Sequence, residues 1–566
     1  MWKFVSVLVV TCLAFTGIKA QDRDVPRAVM MVCGESELED LDTDRVEHFS
    51  ELMRHPVRIN SLTRTQLEAT GLFTPYQLAS LSDYLLRHGN VCSESELACI
   101  DGFSPGLVKI LSPFLDLDCG AASRKGSPKY SQAELAFRGG YKSRTDRDER
   151  KSMYGFKSRL SFSDKVQLSL AASDAYDSAK PYPTLYSANV VVHHRTGKVI
   201  VGDFNARFGQ GLCMWNTASF SSLTTPSGFM KRPSGLSATN SFTGSSAKTG
   251  IATDFMTGRW KISALVSLPG VRNILTQAEK LMLSPAVNLT RFGRYGHISV
   301  THDMAFSNFT SDSYRIPSMA SSVDASACID GVNIFCESAY EWVRNRPSTL
   351  AGCEFSVAGN VCLAAKMRYL PLSNEHAAAF ASEFHCKKHR ITLSTEGLYH
   401  PESKSKDGKE SFQVKGQADW IWNPVTRFEV RVKLSERFRT WGQVSVTQIR
   451  TDVRYAQQAW NATLRLDAVH GSAFAFSGYA EAGYTGKAIT VYGRYGMFMV
   501  DSWEDRIYVY ERDAPGNFNV PALYGRGFWA SMYISWKFTG WGKLYLSAAY
   551  KKPGNAELKL QTVLQF

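Results

Sequence analysis

A chain of 566 residues, 44% hydrophobic and 21% charged, can bury a sizeable core, and its formal charge of +13 separates it from acidic disordered chains. No segment after the first twenty residues supplies the 18 or more apolar residues of a spanning helix, which excludes a helical membrane bundle and leaves a soluble fold or a membrane barrel. Residues 21–120 hold 17 Asp and Glu against 8 Lys and Arg, so, setting aside the two leader lysines, residues 121–566 carry a net +20.

The chain opens MWKFVSVLVVTCLAFTGIKA, one lysine ahead of an apolar run and a small residue, Ala20. This predicts a secretory signal over residues 1–20. Residues 21–54 follow as an acidic segment containing the run ESELEDLDTD. Residues 55–117 then read as a small all-α domain in which a turn is doubled: Phe73-Thr74-Pro75 returns as Phe103-Ser104-Pro105. Thr63 with Gln66, Thr74 with Gln77 and Ser93 with Glu96 each fit a capping box, in which a hydroxyl and an acid or amide satisfy the free N–H groups of a helix start. Pro75 and Pro105 suit the first helical turn, where a missing N–H costs nothing, and Gly71 and Gly89 suit helix ends. Leu67, Leu78, Leu81, Leu97 and Leu111 supply the buried stripe of two packed helical pairs.

These residues resemble the tandem helix-hairpin-helix domain, and more narrowly the version at the front of a family of bacterial outer-membrane barrel proteins. Ile59-Asn60, Leu67, the Phe-Thr-x-Tyr-Gln-Leu run from Phe73 to Leu78, Gly89, Glu96-Leu97, Ile100, Gly102-Phe103 and Pro113-Phe114 carry the likeness. The resemblance implies hairpin turns that grip phosphate or a partner, here Gly71, Phe73 and Thr74 in the first and Gly102, Phe103 and Ser104 in the second. The usual Gly-hydrophobic-Gly is degraded, however: Leu72-Phe73-Thr74 stands ahead of Pro75, and Ser104 replaces a glycine in the second hairpin. Residues 55–119 also hold four basic residues against seven acidic ones, whereas phosphate binding rests on clustered cations. Nucleic acid is therefore a disfavoured partner, and a protein-contact or plug role is preferred. GFSPG at residues 102–106 matches a nucleophile elbow, which requires a preceding strand; the helical context makes Ser104 a cap.

Residues 118–132 read as a linker by their Gly, Ser and Lys content. From residue 133 to 566 the period changes to two. In VTRFEVRVKLSERF, Phe428, Val430, Val432 and Leu434 share one face and Glu429, Arg431, Lys433 and Ser435 the other. A soluble sandwich would bury the apolar face; a membrane barrel turns it to lipid. The eleven tryptophans after the leader all lie between Trp215 and Trp541, several near predicted strand ends, as interfacial girdles require. The ending ELKLQTVLQF resembles the closing strand of outer-membrane barrels. KVIVGDFNARFGQGLCMW (198–215) and IYVYERDAPGNFNVPALYGRG (507–527) extend the family likeness into this part. At about 22 to 26 residues per strand and loop, the expectation is a mainly β protein, a large transmembrane antiparallel barrel of about 16 to 20 strands, with both ends and the helical domain in the periplasm. Ser- and Gly-rich stretches at 216–247 and 307–331 read as long loops or lumen insertions.

Candidate chemistry is sparse. His385-Cys386-x-x-His389 sits at a strand end and reads as a polar turn rather than a metal site. In GCEFSVAGNVCLAAK a two-residue turn at Gly359-Asn360 sets Val357 opposite Cys362 and leaves Cys353 out of register for a bridge. Gly202-Asp203 and Gly209-Gln210-Gly211 read either as strand bends or as a lumen cluster of Asp203, Arg207 and Gln210. No catalytic, metal or cofactor set emerges. The expected function is an outer-membrane binding, assembly or transport component in contact with lipid and other envelope proteins, the alternative being a DNA-capture or uptake factor. The opposed charges predict salt-sensitive docking of the acidic segment, through Glu35, Glu37, Glu39, Asp40, Asp42 and Asp44, at the mouth of a basic lumen.

Overall fold

The computed structural model describes residues 25–41, 43–117, 132–144, 148–162, 165–174, 183–216, 223–241, 247–268, 282–307, 315–357, 360–371, 374–401, 410–441, 444–552 and 554–566. The signal, residues 1–20, and the linker up to residue 131 lie outside them. Alternating sequence gives long antiparallel strands from Gln132–Arg144 round to Asn555–Gln565, and these two pair from Asn555 with Arg144 to Gln565 with Glu134, closing the wall. Among the described residues the closed wall has 24 strands, which overturns the expected 16 to 20. The expectation allowed too much chain per connection. At the end carrying both termini the turns are tight, as between Thr257 and Trp260, Ile329 and Val332, and Gln457 and Trp460. Asp330 and Gly331 have φ of 50° and 80°, the two left-handed positions that a two-residue hairpin needs.

A second correction concerns residues 307–331. Arg315–Ile329 is a wall strand, not a loop. Its alternation is carried by small residues: Ser322, Asp324 and Ser326 are buried inside while Val323 and Ile329 are exposed outside. A hydroxyl-rich inner face disguised a period of two. Across the wall the outward positions are apolar and exposed, as Leu434, Ile449, Leu464 and Tyr495 are, and the inward positions, Lys433, Arg450, Arg465 and Arg494, are buried. Such a contiguous apolar exterior is far larger than water tolerates on a soluble protein and suits lipid.

What buries the inner face is the chain's own N-terminal part. It comprises α1 (Val25–Cys33), α2 (Thr43–Arg54), α3 (Arg64–Ala69), α4 (Pro75–His88), α5 (Glu94–Leu97) and α6 (Pro105–Leu111), with a short parallel strand pair, Val57–Arg58 on Leu115–Asp116. Thr63 and Thr74 form the full reciprocal capping box. At α5 the exchange is displaced by one residue: Ser93 accepts from Glu96 N–H, and Glu96 reaches the N–H of Cys92 at 2.8 Å. Val29, Phe49, Ile59, Leu67, Leu81 and Phe114 form one core across all these elements, and Phe518 of the barrel packs against it. Cys92 is disulfide-bonded. Cys362 lies opposite Ser356 and Cys353 opposite Ala365, so these two are out of register, the hairpin lying one residue off the expected pairing.

Candidate functional site

The helical head meets the wall through inward-facing residues such as Lys157, Lys261, Lys433 and Arg450. Between α1 and α2 the chain bends at Ser36 and Leu38 and turns at Glu39, carrying Glu35 to Glu39 along strands Phe428–Arg439, Val444–Gln457 and Trp460–His470. Period two sends Arg431 and Lys433, Arg450 and Asp452, and Arg465 and Asp467 inward from these strands. Strand register sets Lys433 beside Arg450 and Arg450 beside Asp467, with Arg431 beside Asp452 and Asp452 beside Arg465 one step away.

Each of these three arginines is oriented by a wall carboxylate. Arg431 Nε and Nη2 donate to Asp419 at 2.8 and 2.7 Å, Arg450 Nε to Asp467 at 2.6 Å, and Arg465 Nε to Asp452 at 2.5 Å. The free edges then meet the head. Arg450 Nη1 lies 3.1 Å from Glu37 and 3.3 Å from Glu39, Arg465 Nη1 donates to Glu39 at 2.7 Å, and Lys433 pairs with Glu37. Arg431 Nη2 donates to the Ser36 carbonyl at 2.8 Å, and Tyr510 N–H to Glu39 at 3.1 Å. Burial alone would push the Glu37 carboxyl up; Arg450, Lys433 and Arg431 outweigh it and hold it well below the usual carboxylate range. Glu39 is held low against its burial by Arg465 and Arg450.

Further contacts tie the helices. Lys157 donates to Glu47 at 2.9 Å, Lys261 to Glu68 at 2.6 Å, and Arg54 and His55 both reach Glu134 at 2.9 Å. Two connections also turn inward. In the first, Thr225 Oγ1 donates to the Gly34 carbonyl at 2.5 Å, and Arg232 donates to the carbonyls of Val32 and Leu72 at 3.2 Å. The second, between Val500 and Gly525, brings Tyr510 to Glu39 and Phe518 to the helical core.

Of the acidic run, Glu37 and Glu39 make the wall contacts. Glu35 faces Arg45 within the head at 3.6 Å, and Asp40 is half-buried close to Glu37 and Lys433. Asp42 and the Asp44 side chain lie outside the described residues. These pairs are enclosed, Lys433, Arg450 and Arg465 being no more than 4% exposed, so the expected docking at the mouth is replaced by seating inside the lumen. Enclosed pairs are screened little by salt, which removes the expected salt sensitivity as well.

The hairpin residues fare unequally. Gly71 has φ +66°, Leu72 and Phe73 are fully buried, and Thr74 caps α4; this turn faces the inward connection. In the second hairpin Gly102 has φ +85° and its carbonyl accepts from Gln77 at 3.0 Å, Phe103 is buried against Phe73, and Ser104 accepts from Leu107 N–H at 3.2 Å as the cap of α6.

Asp203, Arg207 and Gln210 each engage other residues. Asp203 accepts from Ala188 N–H at 3.0 Å and from the Thr249 hydroxyl, linking three strands. Arg207 lies toward the Trp215 ring at 6.0 Å. Gln210 clasps Lys231 through both main-chain groups, and its own N–H donates to Glu337 at 2.7 Å. Leu212 and Cys213 N–H join at 3.0 and 3.3 Å, so the Gly-Gln-Gly turn, with φ of +59° at Gly209 and +88° at Gly211, is a backbone nest filled by the Glu337 carboxylate. A Cβ on Gly209 would stand 3.0 Å from that carboxylate.

Ser326, His297 and Asp324 also sit together, His297 bonding Ser326 at 2.9 Å and Asp324 at 2.7 Å. The nearby backbone donors, those of the nest, are already taken by Glu337, so an oxyanion would find them filled, and the trio serves as a buried network joining two strands. At the other motif, Cys386 lies opposite His389 across the hairpin; His385 turns to Glu383, and His389 lies parallel to the rings of Trp420 and Trp422 at 6.0 and 6.3 Å, so the two histidines take separate partners.

No protein-family model and no curated protein matches the sequence. Among solved structures the chain is similar to the siderophore receptor PirA from Acinetobacter baumannii, with TM-score 0.41, 7% identity, and coverage of 78% of this chain and 81% of that one. It is similar to the P pilus usher PapC translocation pore at TM-score 0.38 and 8% identity over 77% of this chain and 99% of that one, and to the copper transporter OprC at 0.41 and 7% over 77% and 80%.

Proposed function

We propose that the chain is an outer-membrane barrel for binding or transport whose lumen is closed by its own N-terminal domain, residues 55–117 together with the acidic segment before them. The observation that carries this reading is the row of lumen cations, Lys433, Arg450 and Arg465, whose free edges are completed by Glu37 and Glu39 of the head. A core meant to be permanent gains more from apolar packing, because buried ion pairs recover little beyond their desolvation cost. A polar seal inside an apolar-coated wall suits a part that moves. The short turns gathered at the end with both termini support a periplasmic placement of that end. As a tandem helix-hairpin-helix unit the head would present its turns to a protein or to the lumen. For DNA uptake the first hairpin is badly placed, since Phe73 is buried and Arg232 holds the Leu72 carbonyl.

Planar-bilayer recording tests the reading. The full chain should conduct little, and deletion of residues 21–120 should raise conductance and favour anions. Equal conductance in both forms would remove the plug.

A further inference from the structure

Glu37 and Glu39 behave in the lumen as a bound ligand would. Both carboxylates reach one nitrogen, Arg450 Nη1, at 3.1 and 3.3 Å, with Lys433 flanking Glu37 and with Arg465 and Tyr510 N–H flanking Glu39. Two of the receiving groups do not depend on the head for their positions. Arg450 and Arg465 are anchored through Nε to Asp467 and Asp452, so their Nη1 edges point inward whether or not the head is seated. Among the described residues Lys433 has its ion pair with Glu37 and none with the wall. Three cations thus share two wall carboxylates, a surplus of one positive charge that the two glutamates of the head more than offset. Guanidinium edges held in place by second partners lose little freedom on binding, the condition for a selective anion site.

We propose that Lys433, Arg450, Arg465 and the Tyr510 N–H form a lumenal binding site for a small multivalent anion with two adjacent carboxylate or phosphate groups, and that Glu37 and Glu39 occupy it in cis. The proposal rests on the reading of a closed transport barrel and adds the class of solute. Monovalent anions are disfavoured because one carboxylate cannot engage Lys433 and Arg465 together, which the head manages with two glutamates. Tyr510 belongs to the inward connection between Val500 and Gly525, so a bound anion would touch that connection as the head now does.

The test is equilibrium dialysis of the purified full chain against labelled citrate and labelled pyrophosphate, with acetate as the monovalent control, in wild type and Glu37→Ala/Glu39→Ala. Removing the internal carboxylates should tighten binding of at least one multivalent probe by about tenfold or more, the value of one to two charge-assisted hydrogen bonds, with acetate unchanged. Citrate alone would mark a carboxylate site and pyrophosphate alone a phosphate site. Adding Arg450→Met should abolish the gain. Equal binding by wild type and the double variant, in preparations whose barrels both show heat-modifiable migration, overturns the proposal. Should the double variant fail that check, Glu39→Gln takes its place with an expected gain of a few-fold, and no gain there overturns the proposal equally. Dialysis reads the site with the head still attached, whereas conductance reads head movement, so failure of one is distinguishable from failure of the other.

Discussion

Two sectors of the wall share one alternation and differ in what completes them. Between residues 411 and 470 the inward side chains include Arg431, Lys433, Arg450, Asp452, Arg465 and Asp467, and their hydrogen bonding is finished by Glu37, Glu39 and the Ser36 carbonyl of the head. Between residues 282 and 329 the inward side chains close on one another. Asn288 donates to Ser299 at 3.2 Å and to Thr301 at 2.9 Å, Thr290 donates to Asn288 at 2.8 Å, and His297 bridges Asp324 and Ser326. The head lies against this second sector through contacts such as the Arg64 guanidinium over Phe292, 3.8 Å from its centroid. A network satisfied within the wall loses nothing when the head leaves; one completed by the head does. Of these two sectors, it is the charged one that grips the head.

The sharpest way to break this comparison is Arg450→Met, which strips a partner from Glu37, Glu39 and Asp467 together. Removing one member of a buried ion network costs about 3 to 5 kcal/mol. The head should become protease-sensitive at much lower urea than in wild type, with the wall still closed by heat-modifiable migration. An unchanged urea midpoint would show that the charged sector does not hold the head.

Acidification separates the helices from the acidic segment. His48 Nε2 meets the Thr70 carbonyl at 2.8 Å, and burial pushes its imidazole down from 6.5 to about 4. A histidine lowered on folding stays neutral while the unfolded chain binds the proton, so stability falls as pH drops from about 6.5 to about 4, by about 3 kcal/mol in all. Glu37 and Glu39 are lowered carboxylates, whose contribution is full above the ordinary carboxylate range and lost only as pH falls through their depressed values. Head release measured across pH 7 to 4 should thus steepen through His48, and His48→Gln, which keeps a donor to Thr70, should flatten it. A slope unaltered by that change would assign the pH dependence elsewhere.

Glu39→Gln should lower the urea midpoint of head release by the equivalent of about 2 kcal/mol, since Arg465 keeps Asp452 and only the cross-contact is weakened. The smallest effect belongs to the other sector. Asn288→Ala should cost the wall about 1 kcal/mol in thermal stability and leave head release unchanged. A head loosened as much by Asn288→Ala as by Glu39→Gln would erase the distinction between the sectors.

Local chemistry was legible in the chain. The caps at Thr63, Thr74 and Ser104 depend on residues three positions apart, and the inward set of Arg431 and Lys433 on a period of two, so both could be read from neighbours alone. The same period places Arg450 and Arg465 inward, a signal present in VSVTQIRTDVRYAQ and WNATLRLDAVH. Periodicity assigns a face but not a partner. Glu39 meets Arg465 across 426 positions, and the Gly-Gln-Gly turn receives Glu337 across 127. Neither pairing has a local signature, because any inward carboxylate could answer any inward cation until closure fixes which strands face each other. Strand number escaped for a related reason, being set by how tightly each turn closes, and the serine-rich strand at 315–329 escaped because its inner face is built mostly of small residues around Asp324. Sequence alone decided which residues face inward and where helices begin; only the closed wall decided that the acidic segment lies within it, since enclosing charges is favourable only where opposite charges are already held in place.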